Sequence, residues 1–475
     1  MLWELVKKEL FDNILNLRFI ALCLIAILLI VSSIVVVTGQ YKEELNDYYS
    51  RVNTQNAFID QFGHSNRIGW MSIVFRPPSR YQPLVLGIDR DAEQQNFVSN
   101  PVPVLLSKLD LVAIVSVIMS LIAILLSHSA ITGEREDGLL KLLLSTSISR
   151  ATIVLGKFIG GVMTLIIPFT LGMLVGLVYI AVDAGVELGG IDSGVFAILL
   201  LLSYVYITAF YALGLFFSAR SRTSNVAVLK SLFAWVVLVL ALPNISPFLA
   251  AQIYRIPSVA KIQQETTRIE SDDRDDIIRN RQQQMLQTAF GDVAMIMRTT
   301  TNRNDLQAKI AGDAVFRERY AQYQKAYDEM VRDVNIEQGK ISGALRESFD
   351  NQSHHQEVFA TVLASLSPLS NFVFAATDAA DVGLQSDEEW GSQAGRYSLS
   401  LREYTDRRYN EEKQKNPAFS SNDYLDLRAR PLFEFQRPPF STRLERILVP
   451  FGVLVIFNLM FFAGAFVSFL RYDVR

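Results

Sequence analysis

Cysteine is nearly missing from this sequence. Cys23 is the single one in 475 residues, so neither a disulfide framework nor a cysteine-based zinc site can form within one chain, and cysteine usage does not reveal the redox compartment. Catalytic signatures are missing too. No G-x-x-x-x-G-K-[ST] stretch occurs: Gly156-Lys157 and Gly339-Lys340 lack the upstream glycine and the following hydroxyl residue, so no phosphate-binding loop is built here. There is no G-x-S-x-G and no H-E-x-x-H. Histidine is sparse, and its one cluster, His354-His355 near Glu357, puts two rings about 100° apart on a helix, which is the spacing of a surface pair rather than of metal ligands. No internal repeat of fixed period is present. Net charge is −3, without the concentrated basic surface of a nucleic-acid binder.

What the sequence has is apolar length. Half the residues are hydrophobic and a fifth are charged, with a mean hydropathy of +0.23. That average fits neither an ordinary soluble enzyme nor a chain wholly within a bilayer, but a mixture of spanning helices and a large wet portion. A bilayer core about 30 Å thick requires roughly 20 apolar residues in a helix, because every backbone polar group must be paired internally. Six segments qualify: Phe19–Thr38, Leu111–Ile131, Ile153–Val182, Val195–Ser218, Val226–Leu242 and Ile447–Leu470. The third has length to tilt and a proline, Pro168, that can kink it. The first is not a secretion signal. It is longer than a signal core, SSIVVVTGQ offers no small-x-small cleavage site, and residues 1–18 carry a helical stripe of their own (Leu2, Trp3, Val6, Leu10, Ile14, Leu17). The stripe predicts a helix lying in the membrane interface.

Basic residues fix the orientation. Lys7, Lys8 and Arg18 precede crossing one, Arg135, Lys141 and Arg150 lie between crossings two and three, Arg220 and Arg222 between four and five, and Arg471 and Arg475 after six. With six crossings these all share one side, and positive charge collects on the cytoplasmic side, which places both termini and the tail 471–475 there. Two long segments, 40–109 and 244–446, then face the other way. The first contains FRPPSRYQP, an extended loop. The second has no proline between Pro257 and Pro368 and is rich in Gln, Arg, Asp, Ala and Glu, which favours long solvated helices packed as a hairpin. Phe316, Tyr320, Tyr323 and Tyr327 supply its apolar spacing, and the charges from Asp272 to Asp276 read as a solvated face. LSPLSNFVFAATDAADVG, broken by Asn371 and Asp378, is too short to span; it is either a helix resting on the membrane or an apolar face of the wet domain. The fold class is therefore all-α polytopic membrane protein, with an interfacial N-terminal helix and a mainly helical extracytoplasmic domain.

The crossings hold no mid-membrane Asp, Glu or His of the kind that drives ion-coupled transport. His128 and Lys230 lie near cytoplasmic ends, where Lys230 can snorkel, and Asn458, mid-span in crossing six, suits a helix-to-helix hydrogen bond. Crossing three carries Gly156-x-x-x-Gly160 and Gly172-x-x-x-Gly176, spacings that permit close helix contact.

The stretch TGEREDGLLKLLLSTSISR, residues 132–150, joins crossings two and three. Tethered at both ends, it is stiff: a push on it moves both helices. Glu134, Arg135, Glu136 and Asp137 can form charge-assisted hydrogen bonds to a soluble partner, Gly138 permits a bend, and the leucines that follow can rest on the membrane or fill a partner's groove. An interfacial connector with no partner is the competing reading of the same residues.

ITGEREDGLLKLLLSTSISRATIVLGKFIGG resembles the corresponding loop of ABC-2-type permeases, the membrane subunits of ATP-binding-cassette transporters. Glu134, Glu136, Gly138, Ser149, Arg150, Gly156 and Lys157 occupy the family's pattern, while Leu139 and Ser147 stand where the family commonly has Thr and Pro. LASLSPLSNFVFAATDAAD and FVSFLRYDVR are similar to a bacterial subgroup with a large extracytoplasmic insertion before the last crossing. The resemblance implies an exporter subunit in the bacterial cytoplasmic membrane that is not itself an enzyme. It implies a separate cytoplasmic ATPase that holds ATP and Mg, so that this chain needs no cofactor, and a second permease subunit, identical or different. It also implies that Glu134 to Gly138, with Ser149 and Arg150, contact that ATPase. An alternative output is mechanical: the same ATPase-driven motion delivered to an extracytoplasmic partner, with nothing transported.

Overall fold

The computed structural model describes residues 2–63, 73–87, 109–145, 148–182, 193–300, 303–416, 419 and 423–471. Ser147, residues 472–475 and much of the 40–109 segment lie outside them. The described residues are helical, with no strand among them. In chain order the helices are α1 (Leu2–Ile14) and α2 (Leu17–Phe62), then α3 (Leu111–Ala113), which passes through a π-helical turn, Ile114–Met119, into α4 (Ser120–Ser127). The loop between crossings two and three holds α5 (Thr132–Glu136) and α6 (Leu139–Ser145). Next come α7 (Arg150–Val182), α8 (Ser193–Arg220), and α9 (Ser224–Trp235), which continues through a π-helical turn, Val236–Ala241, into α10 (Leu242–Ile253).

Six stretches among the described residues are long and apolar enough to cross a membrane, and each contains one of the six apolar runs of the sequence. Their outward surfaces carry large apolar side chains such as Leu229, Phe233, Phe248 and Val449, which suits a face turned to lipid. Crossing two starts on a side-chain cap, the Asp110 carboxylate accepting from Ala113 N–H at 2.8 Å and from Leu86 N–H at 3.1 Å. The small residues of α7 admit their neighbours closely. A Cβ on Gly156 would lie 2.9 Å from Leu5 Cβ, and one on Gly160 would lie 2.7 Å from Glu9 Cβ, so α1 lies directly on this pair. Gly172 and Gly176 serve Ile30 and Ile34 of α2 in the same way. Asn458 donates to Val205 O at 2.9 Å, the helix-to-helix bond expected of it.

The chain divides into two compact units, one formed by Met1–Asn244 with Ala364–Arg475 and the other by Ile245–Leu363. The second contains α11 (Val259–Arg268), a π-helical turn at Ile269–Asp273, α12 (Arg274–Thr288), α13 (Gly291–Thr299), α14 (Arg303–Gly312) and most of α15 (Ala314–Ala364). Arg281 pairs with Glu337 at 2.9 Å and Arg346 with Glu270 at 3.2 Å, so α11 and α12 run antiparallel to α15 as a hairpin. Its core is small and aromatic: Phe290 and Tyr323 meet edge to face at 5.5 Å, with Val293 and Phe316 buried beside them.

The first unit resumes with α16 (Pro368–Ala379), α17 (Leu384–Lys415) and α18 (Phe440–Leu470). Helix α16 starts with a strong local signal. The Ser367 hydroxyl accepts from the N–H groups of Leu369 and Ser370, and Pro368 sits at the first helical position. Phe372 stacks on Tyr206 at 4.7 Å, halfway along α8, and most of α16 is buried against α8 and α18.

Candidate functional site: the loop between crossings two and three

The loop is fastened to its surroundings by its own polar residues. Ser218 Oγ, near the end of α8, accepts from the N–H groups of Ile131 at 3.0 Å and Thr132 at 3.2 Å. These donors would otherwise be orphans at the start of α5. An Arg135 Nη1–H donates to Ser221 O. Thr223, at the cap position of α9, provides no side-chain hydrogen bond. Glu136 supplies it from outside: its carboxylate accepts Ser224 N–H at 2.9 Å and Ser224 Oγ–H at 2.7 Å. A negative charge there also meets the positive end of the α9 dipole.

Glu134 turns inward. Its Oε1 lies 2.8 Å from Lys157 Nζ on α7, and the same ammonium lies 2.8 Å from Glu9 Oε1 on α1. Lys8 approaches Glu134 at 3.7 Å. Lys157 is only 3% exposed, so this pairing is what allows a charge to remain there. Glu134 Oε2 is closed off from solvent without a hydrogen-bond donor among the described residues. One ammonium thus joins the N-terminal helix, crossing three and the loop.

Gly138 separates α5 from α6 at φ 77°, in the left-handed region where a Cβ is strained. The turn directs Leu140 inward, where it is 1% exposed among Ile131, Ile153, Val154, Leu215 and Phe469. Leu143 and Leu144 pack partly on that cluster. Leu139 and Leu142 face outward, at 51% and 66% exposed. Asp137, Gly138, Lys141 and Ser145 are exposed beside them.

At the far end, the Ser149 hydroxyl accepts from Thr152 N–H at 3.1 Å and so caps α7, and Arg150 Nη1–H donates to Leu470 O at 2.8 Å, closing the end of α18. The seven residues singled out in the sequence therefore separate physically. Glu134, Arg135, Glu136 and Arg150 bond within the chain, Ser149 caps a helix while remaining exposed, and Asp137 and Gly138 are presented outward. Sequence reading passed over Lys157 as a centre. The signal was available: it is the sole charged residue of α7 after Arg150. Ser218 and Ser224 carried no comparable mark. No group of His, Cys, Asp and Glu able to hold a metal occurs among the described residues.

Residues 3–474 match the family model described as ABC-2 family transporter protein. The chain belongs to this family. Two proteins named probable ABC transporter permease protein NosY are similar to it. The one from Pseudomonas aeruginosa is 33% identical over 154 residues, 31% of this chain and 53% of that protein. The one from Stutzerimonas stutzeri is 41% identical over 80 residues, 17% of this chain and 29% of that protein. The chain spans about half the length of the first relative and less of the second. As an ABC-2 permease it is a multi-pass membrane protein of the non-catalytic kind.

Proposed function

We propose that this ABC-2 permease is the membrane-spanning half of an exporter in the bacterial cytoplasmic membrane, driven by a separate ATP-binding-cassette ATPase that carries ATP and Mg. Two permease subunits, identical or different, form the path. The basic residues flanking the crossings support cytoplasmic termini and a cytoplasmic 132–150 loop. The single observation that carries the reading is the division of that loop into two faces. One is fixed by Glu134, Arg135 and Glu136 to α7, α1, the α8–α9 connection and α9. The other presents Asp137, Leu139, Lys141 and Leu142 outward. A partner that grips the outer face moves the inner anchors with it. Closure of the ATPase pair would then tilt crossings two and three, and through Lys157 the N-terminal helix, changing the path between permease subunits.

The test uses the outer face, because charge reversal at Glu134 would disrupt a buried pair. The protein is purified from native membranes, and co-purifying ATP hydrolysis is measured. A variant carrying Asp137→Lys, Lys141→Glu and Leu142→Asp is expected to lose the ATPase by at least about tenfold while retaining the wild-type unfolding temperature. Undiminished hydrolysis in the variant would remove the loop from the interface. Absence of any ATPase from the wild type would remove the powered reading altogether.

A further inference from the structure

FRPPSRYQP has no part in the loop or the crossings, yet the structure builds it into a wall. Residues 73–79 face Glu44, Asp47 and Tyr48 of α2 and the first turns of α17 across an open cleft of about 830 Å³. The cleft adjoins Leu86, whose N–H bonds the Asp110 cap of crossing two, so it lies at the opposite end of that crossing from residues 132–150. The wall is held from behind: Arg437 donates to Pro77 O at 3.2 Å and to Pro78 O at 2.7 Å, and Ser79 Oγ–H donates to Ala380 O at 2.7 Å. Two consecutive prolines so anchored make a surface that loses little freedom on binding.

The cleft is acidic and aromatic together. Among the described residues four carboxylates line it, Glu44, Asp47, Asp387 and Glu388, against two guanidinium groups, Arg51 and Arg76, an excess of two negative charges. Arg76 is already engaged, ion-paired with Asp387 and donating to Ser386 Oγ at 2.8 Å. Glu44 accepts from Gln82. Asp47 and Glu388 are exposed and have no ion-pair partner among the described residues. Tyr48, Phe75 and Trp390 add aromatic rings to the lining, and Ile73, Val74 and Val382 add apolar surface. The Trp390 indole N–H is closed off from solvent with no acceptor among the described residues.

From this combination we infer that the cleft is a binding site for a small organic cation with an apolar body. The free carboxylates meet the charge, the rings meet it through their π faces, and the apolar wall takes the remainder. A small anion would face the excess negative charge, and an uncharged apolar molecule would gain nothing from Asp47 and Glu388. The site does not depend on the exporter reading, since binding is measured without nucleotide or partner.

The full-length protein in an uncharged detergent is titrated with benzyltrimethylammonium, with benzenesulfonate as the anionic control, and followed by calorimetry and tryptophan fluorescence. Saturable binding of the cation alone is expected, with quenching that disappears in Trp390→Phe. Asp47→Asn and Glu388→Gln remove charge from exposed positions and are expected to weaken binding at least about fivefold each while leaving the unfolding temperature unchanged. Absence of saturable binding, equal affinity in these variants, or equal binding of the sulfonate would each overturn the assignment.

Discussion

Lys157 Nζ lies 2.8 Å from Glu134 Oε1, which makes the loop between crossings two and three an extension of crossing three itself. Removing the cation would leave Glu9 and Glu134 close together and mostly buried, with only Lys8, 3.7 Å from Glu134, to offset them. Lys157→Met is expected to cost on the order of 3–5 kcal/mol and to lower the unfolding temperature in detergent. Adding Glu9→Gln and Glu134→Gln should recover much of that loss, because no uncompensated carboxylate remains. A triple variant no more stable than Lys157→Met would show that the pairing is incidental.

The seating of α1 on α7 depends on missing side chains. A Cβ at Gly160 would stand 2.7 Å from Glu9 Cβ and 3.2 Å from Val6 O, so Gly160→Val must displace α1. That shift separates Glu9 from Lys157, whereas the same change at Gly452, where nothing stands within 4 Å, should be tolerated. Cleavage within residues 2–14 under limited proteolysis, accelerated in the first variant and not in the second, is the readout.

Asp378, outside the spanning segments, gives a dependence on pH. Burial pushes its carboxyl up from 3.8 to about 6, with Arg446 pulling it down and Asp381 and Glu389 pushing it further up. Between pH about 4 and about 6 the folded chain retains a proton that the unfolded chain has released. Its contribution to stability is therefore full below pH about 4 and lost as pH rises through about 6. The unfolding temperature of the wild type relative to Asp378→Asn should fall across that interval, and a constant difference would contradict the assignment.

Phe372 of α16 stacks on Tyr206 of α8 and is 1% exposed. Phe372→Ala opens a cavity in a fully buried position and is expected to cost about 3–5 kcal/mol, while Phe372→Leu should cost considerably less. Thermal unfolding in detergent separates the two.

The crossings were legible because each is a long apolar run, and a helix is the structure that pairs every backbone group within one such segment in hydrocarbon. The glycine pairs of α7 were legible for a similar reason: small residues at that spacing have few uses beyond close contact. The destination of α16 was not legible. Asn371 and Asp378 argued against burial in an apolar layer, but Asn371 donates to Ser365 O at 2.6 Å and Ser367 O at 2.7 Å, so the helix satisfies that amide locally and carries it inward. Glu134 has charged sequence neighbours, which suit a contact to a partner. Its true neighbours, Lys157 and Glu9, come from segments that only the packing of α1 on α7 brings together.

Helix α2 does not stop where the apolar run stops. It continues as one helix of 46 residues, about 69 Å, and roughly half of that length extends past Thr38. A rod pivoting at the membrane boundary carries motion across it: a swing of about 5° at the pivot displaces Phe62 by about 3 Å, about as far as the other end moves. Whatever rocks the first crossing is thus carried, undiminished, to the far end of the boom.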